Sequence, residues 1–290
     1  MEAAFRRYVE QCPDAVLVTD TAARIVYANP AFERMTGYSS AEIAGRTPAL
    51  LKSGMHEADF YRRLWSALLA GQEFRALFAN RRKSGEPYYE DKILHPLFDV
   101  EGRVTHFVSY GRDATERARE FEKLAHAATH DSLTDLPNRS LFLDRLGQAL
   151  RHAARRDEEL TVAILDIDRF RDTNNAYGHL AGDAVLRAVA ERTRSCVRGA
   201  DTVARIGGDE LALVLVDTAK AAAARVLAKI VAANAEPLEY DGIEIQATVS
   251  VGAAEYPHDA ADGEALRKLA DAAMYAAKSA GGNRFLFYRR

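Results

Sequence analysis

Arg205-Ile-Gly-Gly-Asp-Glu-Leu211, followed by the alternating apolar run Ala212 to Val216, decides how this chain is read. Two glycines and two acids between strand-like segments predict a tight hairpin that holds carboxylates at its tip. Gly207 and Gly208 are suited to positive φ and to close approach by a phosphate or a metal, while Asp209 and Glu210 supply hard oxygen ligands. Upstream, Val162 to Asp168 reads Val-Ala-Ile-Leu-Asp-Ile-Asp, a second buried-strand pattern ending in acids. Two such strands side by side bring Asp166 and Asp209 together, the core of a two-metal site.

Around this pair, helical and strand patterns alternate. The spacing predicts helices over Leu141 to Ala154, Gly182 to Arg198, Ala219 to Ala233 and Gly263 to Ala280, with strands at Thr161 and from Ile243 to Ala253. Six further stretches fall in order: Asp131-Ser-Leu-Thr-Asp-Leu-Pro-Asn-Arg139, Asp166-Ile-Asp-Arg-Phe-Arg171 with Asn174, Gly178-His179, Gly182-Asp183, Thr248-Val-Ser-Val-Gly252 and Met274-Tyr-Ala-Ala-Lys278. Together with the Gly-Gly-Asp-Glu turn they resemble the GGDEF family, the diguanylate cyclases that condense two GTP into cyclic di-GMP. The resemblance runs from Asp131 to about Phe287.

Residues 13 to 112 read differently. Ala15 to Thr19 and Arg24 to Ala28 form a hairpin pattern, Pro30 to Thr36 and Ala58 to Leu69 are helical, and three longer strands follow at Glu73 to Arg82, Pro87 to Phe98 and Arg103 to Gly111. A five-stranded antiparallel sheet with helices over one face is an α+β sensor architecture. Asn29-Pro-Ala-Phe32, Thr36-Gly-Tyr38, Gly45-Arg46, Asn80-Arg-Arg-Lys-Ser-Gly85 and Asp113-Ala-Thr115 resemble a PAS domain. The expected fold class is therefore α+β throughout. A PAS sensor spans 1–112, a helical signalling linker 113–130, and a GGDEF cyclase domain 131–290 whose central, mostly antiparallel sheet is surrounded by helices. Thr115 to Thr129 lacks Pro and Gly, and Phe121, Leu124 and Ala128 fall on one stripe, suiting a short parallel coiled coil in a homodimer.

The GGDEF resemblance implies roles. Asp166, Asp209, Glu210 and the carbonyl of Ile167 would hold two Mg2+ ions, or Mn2+ in their place, with Asp209 and Glu210 as the catalytic acids. Phe170, Arg171 and Lys278 would meet the triphosphate, and Asn174 and Asp183 would read guanine, because a carboxylate facing N1–H and N2–H2 rejects adenine. Arg198-Gly-Ala-Asp201, with Arg205, matches an inhibitory site for cyclic di-GMP. Arg171 stands where the family usually has Lys, Leu211 where it has Phe, and Gly282 where it commonly carries an Arg. One triphosphate contact is thereby lost, so that an Arg at 282 is expected to tighten GTP binding. Gly282 and Arg171 motivate a second reading, a catalytically degenerate module acting as a GTP or cyclic di-GMP receptor.

At 290 residues, 48% hydrophobic and 28% charged, the chain is long enough for two domains with their own cores. A net charge of −3 supplies no overall basic field, which argues against a nucleic-acid partner. No apolar run approaches a bilayer span and the N-terminus lacks a signal stretch, so a cytoplasmic protein without membrane insertion is expected. Cys12 and Cys196 suggest buried free thiols rather than a disulfide or zinc site. His56 and His95 are candidate haem ligands and Trp65 and Asn80 candidate flavin contacts, but the sensor's ligand is unknown from sequence, and no cysteine is placed for a flavin photo-adduct.

Overall fold

The computed structural model describes residues 2–289. Two compact units meet between Lys123 and Leu124. In the first, α1 (Glu2–Gln11), β1 (Ala15–Asp20), β2 (Ile25–Ala28), α2 (Pro30–Thr36), α3 (Ser40–Ile43) and α4 (Ala58–Leu69) precede β3 (Phe74–Arg81), β4 (Pro87–Phe98) and β5 (Val104–Asp113). The strands form one antiparallel sheet, ordered β2-β1-β5-β4-β3. Asn29 is its local organiser. Fully buried, it accepts from the Val16 and Phe32 amides and donates to the Val9 and Asp14 carbonyls, so one side chain caps α2 and ties it to β1 and α1.

Helix α5 (Thr115–Thr129) spans the boundary between the units. Asp113 accepts from the Thr115 amide at its start. Phe121 is 73% exposed and Leu124 70% exposed, so the apolar stripe read from the sequence is uncovered in the single chain.

The second unit contains α6 (Arg139–Arg156), β6 (Leu160–Ile167), α7 (Phe170–Tyr177), α8 (His179–Ser195), β7 (Thr202–Arg205), β8 (Glu210–Leu215), α9 (Lys220–Asn234), β9 (Leu238–Tyr240), β10 (Ile243–Ile245), β11 (Val249–Tyr256), α10 (Gly263–Ser279) and β12 (Arg284–Phe287). Its main sheet runs β12-β11-β6-β8-β7, antiparallel except for β11 with β12. Strand β6 is central and buried on both faces. Ala163, Leu165 and Ile167 point into one core, and Leu160, Val162 and Ile164 into the other, as the period of two requires. At Gly252 on β11 an added Cβ would lie 2.0 Å from the Met274 amide nitrogen and 2.1 Å from the Ala270 carbonyl oxygen, so α10 rests on the strand backbone to backbone.

The single strand expected from Ile243 to Ala253 is two. Strand β10 pairs with β9 in a separate ribbon and β11 joins the main sheet. Between them Gln246 donates to the Ala235 carbonyl and Thr248 turns to Asp168, so side-chain bonds take the chain from one sheet to the other.

Candidate active site

The acids gather where β6 and β8 meet. Asp166 lies opposite Glu210 across one ladder and opposite Ser250 across the other. Asp209 comes immediately before β8, and its carbonyl accepts from the Ile167 amide at 3.4 Å. Asp166 is only 7% exposed, and burial pushes its carboxyl up to about 6. Lys278 opposes that rise, while the charges of Asp209 and Glu210 add to it. From the last turn of α10, Lys278 places Nζ 2.5 Å from Asp166 Oδ1, in ion-pair range but outside hydrogen-bond alignment.

Among the described residues, no group of three or more His, Cys, Asp or Glu already converges on a metal-ligand arrangement. The donor chemistry nevertheless fits a hard divalent cation. Three carboxylates gather at one strand end, burial and the neighbouring acids make one of them resist ionisation, and an ammonium offsets part of that effect.

The hairpin tip departs from expectation in its glycines. Neither Gly207 nor Gly208 takes positive φ. Gly207 is instead a matter of space, since a Cβ there would lie 2.8 Å from Glu210 Oε2. The Gly208 carbonyl accepts from Arg205 at 2.6 and 3.1 Å, and Arg205 Nη1 also grips both oxygens of Asp131 at 2.9 and 3.1 Å. Burial would raise the Asp131 carboxyl, but bonds from Thr134 and Arg205 outweigh it and hold the group low. Arg205, read as part of an inhibitory site, is thus engaged within the fold as a clamp on the hairpin. Its partner Asp131 was visible in the sequence only as part of a motif.

Helix α7 is preceded by its N-cap Arg169, whose φ of 53° is left-handed. The first-turn amides of a helix have no intrahelical acceptor, so the Phe170 and Arg171 N–H groups are available to an anion. The Phe170 ring packs on the core, so it offers an outside ligand its amide rather than its side chain. Arg171 is exposed. Asn174 on α7 seats its side chain on Gly182 of α8, where a Cβ would fall 1.9 Å from Asn174 Oδ1. That contact brings Asn174 next to Asp183, both half-buried.

Asp168 is a structural hub. It accepts from Thr248 Oγ1 at 2.7 Å, Ser250 Oγ at 2.6 Å and the Asn283 amide at 2.9 Å. Gly282 lies against this carboxylate with φ +71°, and a Cβ there would meet Asp168 Oδ2 at 2.9 Å. An Arg at 282 therefore has to shift this crowded turn before it reaches a phosphate, which weakens the expectation that it would simply add a contact.

Arg198 and Asp201 form a closed turn. Asp201 accepts from the Arg198 and Val216 amides, and Arg198 Nη2 donates to the Val216 carbonyl and Thr218 hydroxyl. The Arg198 side chain remains 64% exposed. In the first unit, His56 Nε2 accepts from the Ala79 amide at 2.8 Å and the ring stacks on Phe60, while His95 faces Glu73. His56 offers iron no free Nε2. Cys12 and Cys196 are free and half-buried. No described helix is long and apolar enough to cross a membrane.

Comparison with known proteins accords with this geometry. The bifunctional diguanylate cyclase/cyclic di-GMP phosphodiesterase MucR of Pseudomonas aeruginosa is 43% identical over 175 residues, 60% of this chain and 26% of MucR. The GGDEF domain structure of TpbB from the same organism is 42% identical, with TM-score 0.54, over 55% of this chain and 94% of that one. The coiled coil and GGDEF domain of DgcB from Caulobacter crescentus, solved with c-di-GMP, is 34% identical with TM-score 0.54, over 59% of this chain and 92% of that one. The chain spans about a quarter of MucR and 39% of the full TpbB sequence. The PAS fold matches residues 3–114, and the diguanylate cyclase GGDEF domain matches residues 128–284, more than half the chain. The chain belongs to the GGDEF diguanylate cyclase family, with a PAS fold ahead of the cyclase-type domain.

Proposed function

We propose that the protein is an active, sensor-regulated diguanylate cyclase that converts two GTP into cyclic di-GMP and two pyrophosphates. The 3′-oxygen of each GTP attacks the α-phosphorus of the other; the new P–O bond forms as the bond to pyrophosphate breaks and the hydroxyl proton leaves. The observation that carries this reading is Asp166 directly opposite Glu210, with Asp209 beside it and the Lys278 ammonium 2.5 Å away. These carboxylates suit magnesium or manganese, whose contribution when bound is to offset triphosphate charge and acidify the attacking hydroxyl.

Around them the chain's own groups have separable tasks. Asp209 accepts the hydroxyl proton, with Glu210 beside it as support. The α7 amides and Arg171 receive phosphate oxygens, and Lys278 is placed to move from Asp166 toward the triphosphate. Asn174 and Asp183 present an amide and a carboxylate to the guanine edge. Each domain holds one GTP, so the reaction needs two copies face to face. Arg198, exposed beside the Asp201 turn, offers product a guanidinium for feedback inhibition.

Incubating the purified chain with magnesium and GTP and resolving the nucleotides tests the reading. Asp209→Asn should keep the fold and lower the rate by at least about a hundredfold, the scale of losing one electrostatic or proton-transfer contribution. The glycine at 282, which leaves no cation at that position, supports the receptor reading instead. Stoichiometric binding of GTP or cyclic di-GMP without turnover would decide for it.

A further inference from the structure

The first unit encloses a cavity of about 300 Å3. Its walls are mostly apolar, with Leu17, Leu51, Leu64, Leu68, Phe78 and Phe107 among them. Into this lining projects Lys92, only 5% exposed. Among the described residues its one acceptor is Glu90, with Nζ 3.1 Å from Oε1 and 3.4 Å from Oε2. Glu90 is fully buried and also accepts from Asn80 Nδ2 at 3.0 Å.

Glu90 and Lys92 are two apart on β4, hence on the same face. Room for the acid comes from β5, where a Cβ on Gly111 would lie 1.8 Å from Glu90 Oε1. A buried ion pair contributes little net stability, because desolvation offsets the attraction and an apolar pair of equal volume does as well. What the pair does accomplish is to hold an ammonium, with N–H capacity left over, against an oily cavity.

We infer that this cavity binds a small organic monocarboxylate with an apolar body, its carboxylate received by Lys92 and its body by the leucine and phenylalanine walls. Three features select that class. The Lys92 ammonium at the lining is a donor only and keeps N–H capacity beyond its contact with Glu90, so the ligand must bring an acceptor. Charge favours an anion over a neutral acceptor. Lys92 is paired by Glu90, and Lys52, exposed at the lining with Nζ 3.8 Å over the Tyr61 ring, adds a further positive charge that attracts a carboxylate. Volume sets the size, since about 300 Å3 is the lower end of small-molecule pockets and suits a small metabolite rather than a dinucleotide flavin.

Trp65 lines the same cavity and is the chain's single tryptophan, so its emission reports occupancy directly. The test is titration of the full chain with octanoate, and separately with 1-octanol, following Trp65 fluorescence. Octanoate should give a saturable change with Kd below about 1 mM, and the alcohol should bind at least about tenfold more weakly. Removing Lys92 alone would strand the buried Glu90, so the matched variant is Glu90→Leu with Lys92→Met, which should fold and bind octanoate no better than octanol. No saturable response to octanoate, equal affinity for the alcohol, or full octanoate affinity in a folded paired variant would each overturn the proposal. The wild-type comparison stands even if the paired variant fails to fold. None of these readings needs GTP turnover, so their failure leaves the cyclase reading untouched.

Discussion

Asp166 is the residue on which charge, burial and pairing all act at once. Its carboxyl is raised from its ordinary 3.8 to about 6, so the folded protein holds this proton more readily than the unfolded chain does. In metal-free protein the stability cost of ionising it is absent below the lower value, grows as pH rises between the two, and is complete above about 6. A cation that needs the ionised form must displace that proton. The increase in Tm on adding magnesium should therefore grow from about pH 5 to pH 7 and then level off; an increase independent of pH would remove Asp166 from the ligand set. At Gly182, substitution by Ala would drive a methyl group into Asn174. The expected result is a loss of about 10- to 100-fold in kcat/KM for GTP, seen mainly in KM and accompanied by weaker discrimination against ATP. Unchanged KM would show that Asn174 does not read the base.

The β7–β8 hairpin shows what an element needs beyond its own turn. Arg205 fastens the tip to Asp131, a residue from before α6, so Asp209 and Glu210 are held by a clamp closed across the sequence. Arg205→Ala and Asp131→Asn should each destabilise the second unit by about 1.5–3 kcal/mol, the range for hydrogen bonds to charged groups, and the double variant should cost less than their sum. Chemical denaturation of the three variants measures this, and strict additivity would show that the two side chains act separately. Most strands and helices were legible in the sequence because each carries one clear pattern, an unbroken apolar run at β6 and a single apolar face at α4. The short helix α7 is not among the helices read from spacing, since its eight residues carry few apolar positions. The split at Gln246 to Thr248 and the final strand β12 were missed for another reason. Both depend on partners far away in sequence, notably Asp168. The acids of the site could be read because chemistry limits which residue types hold a hard cation. The roles of Gly207, Gly282 and Arg205 could not, because each depends on what lies within a few ångströms in the folded chain.

The two units belong to different folds, and α5 passes from one to the other. Phe121 and Leu124 are exposed on it, and the proposed reaction, which joins two GTP, requires two copies of the second unit. Replacing both by Ser should weaken self-association, since each side chain fully covered between helices contributes about 1.5–3 kcal/mol before ordering costs. Activity should then depend more steeply on protein concentration, while GTP binding persists. Light scattering alongside cyclase rates checks this, and a variant that stays dimeric and fully active would assign assembly to other surfaces. The bare contact of α10 with Gly252 bears on how such a protein changes over generations. Most of the core can exchange one side chain for another as long as volume is kept, and the layers then move slightly apart or together. Between α10 and β11 there is no side chain to exchange at that point, so the separation is set by main-chain atoms alone. Lys278 rides on that helix, and Asp166 sits on the strand next to β11. A side chain gained at 252 would therefore lever the helix away and lengthen the reach of lysine to acid, whereas any other residue of these two elements can exchange without touching that point.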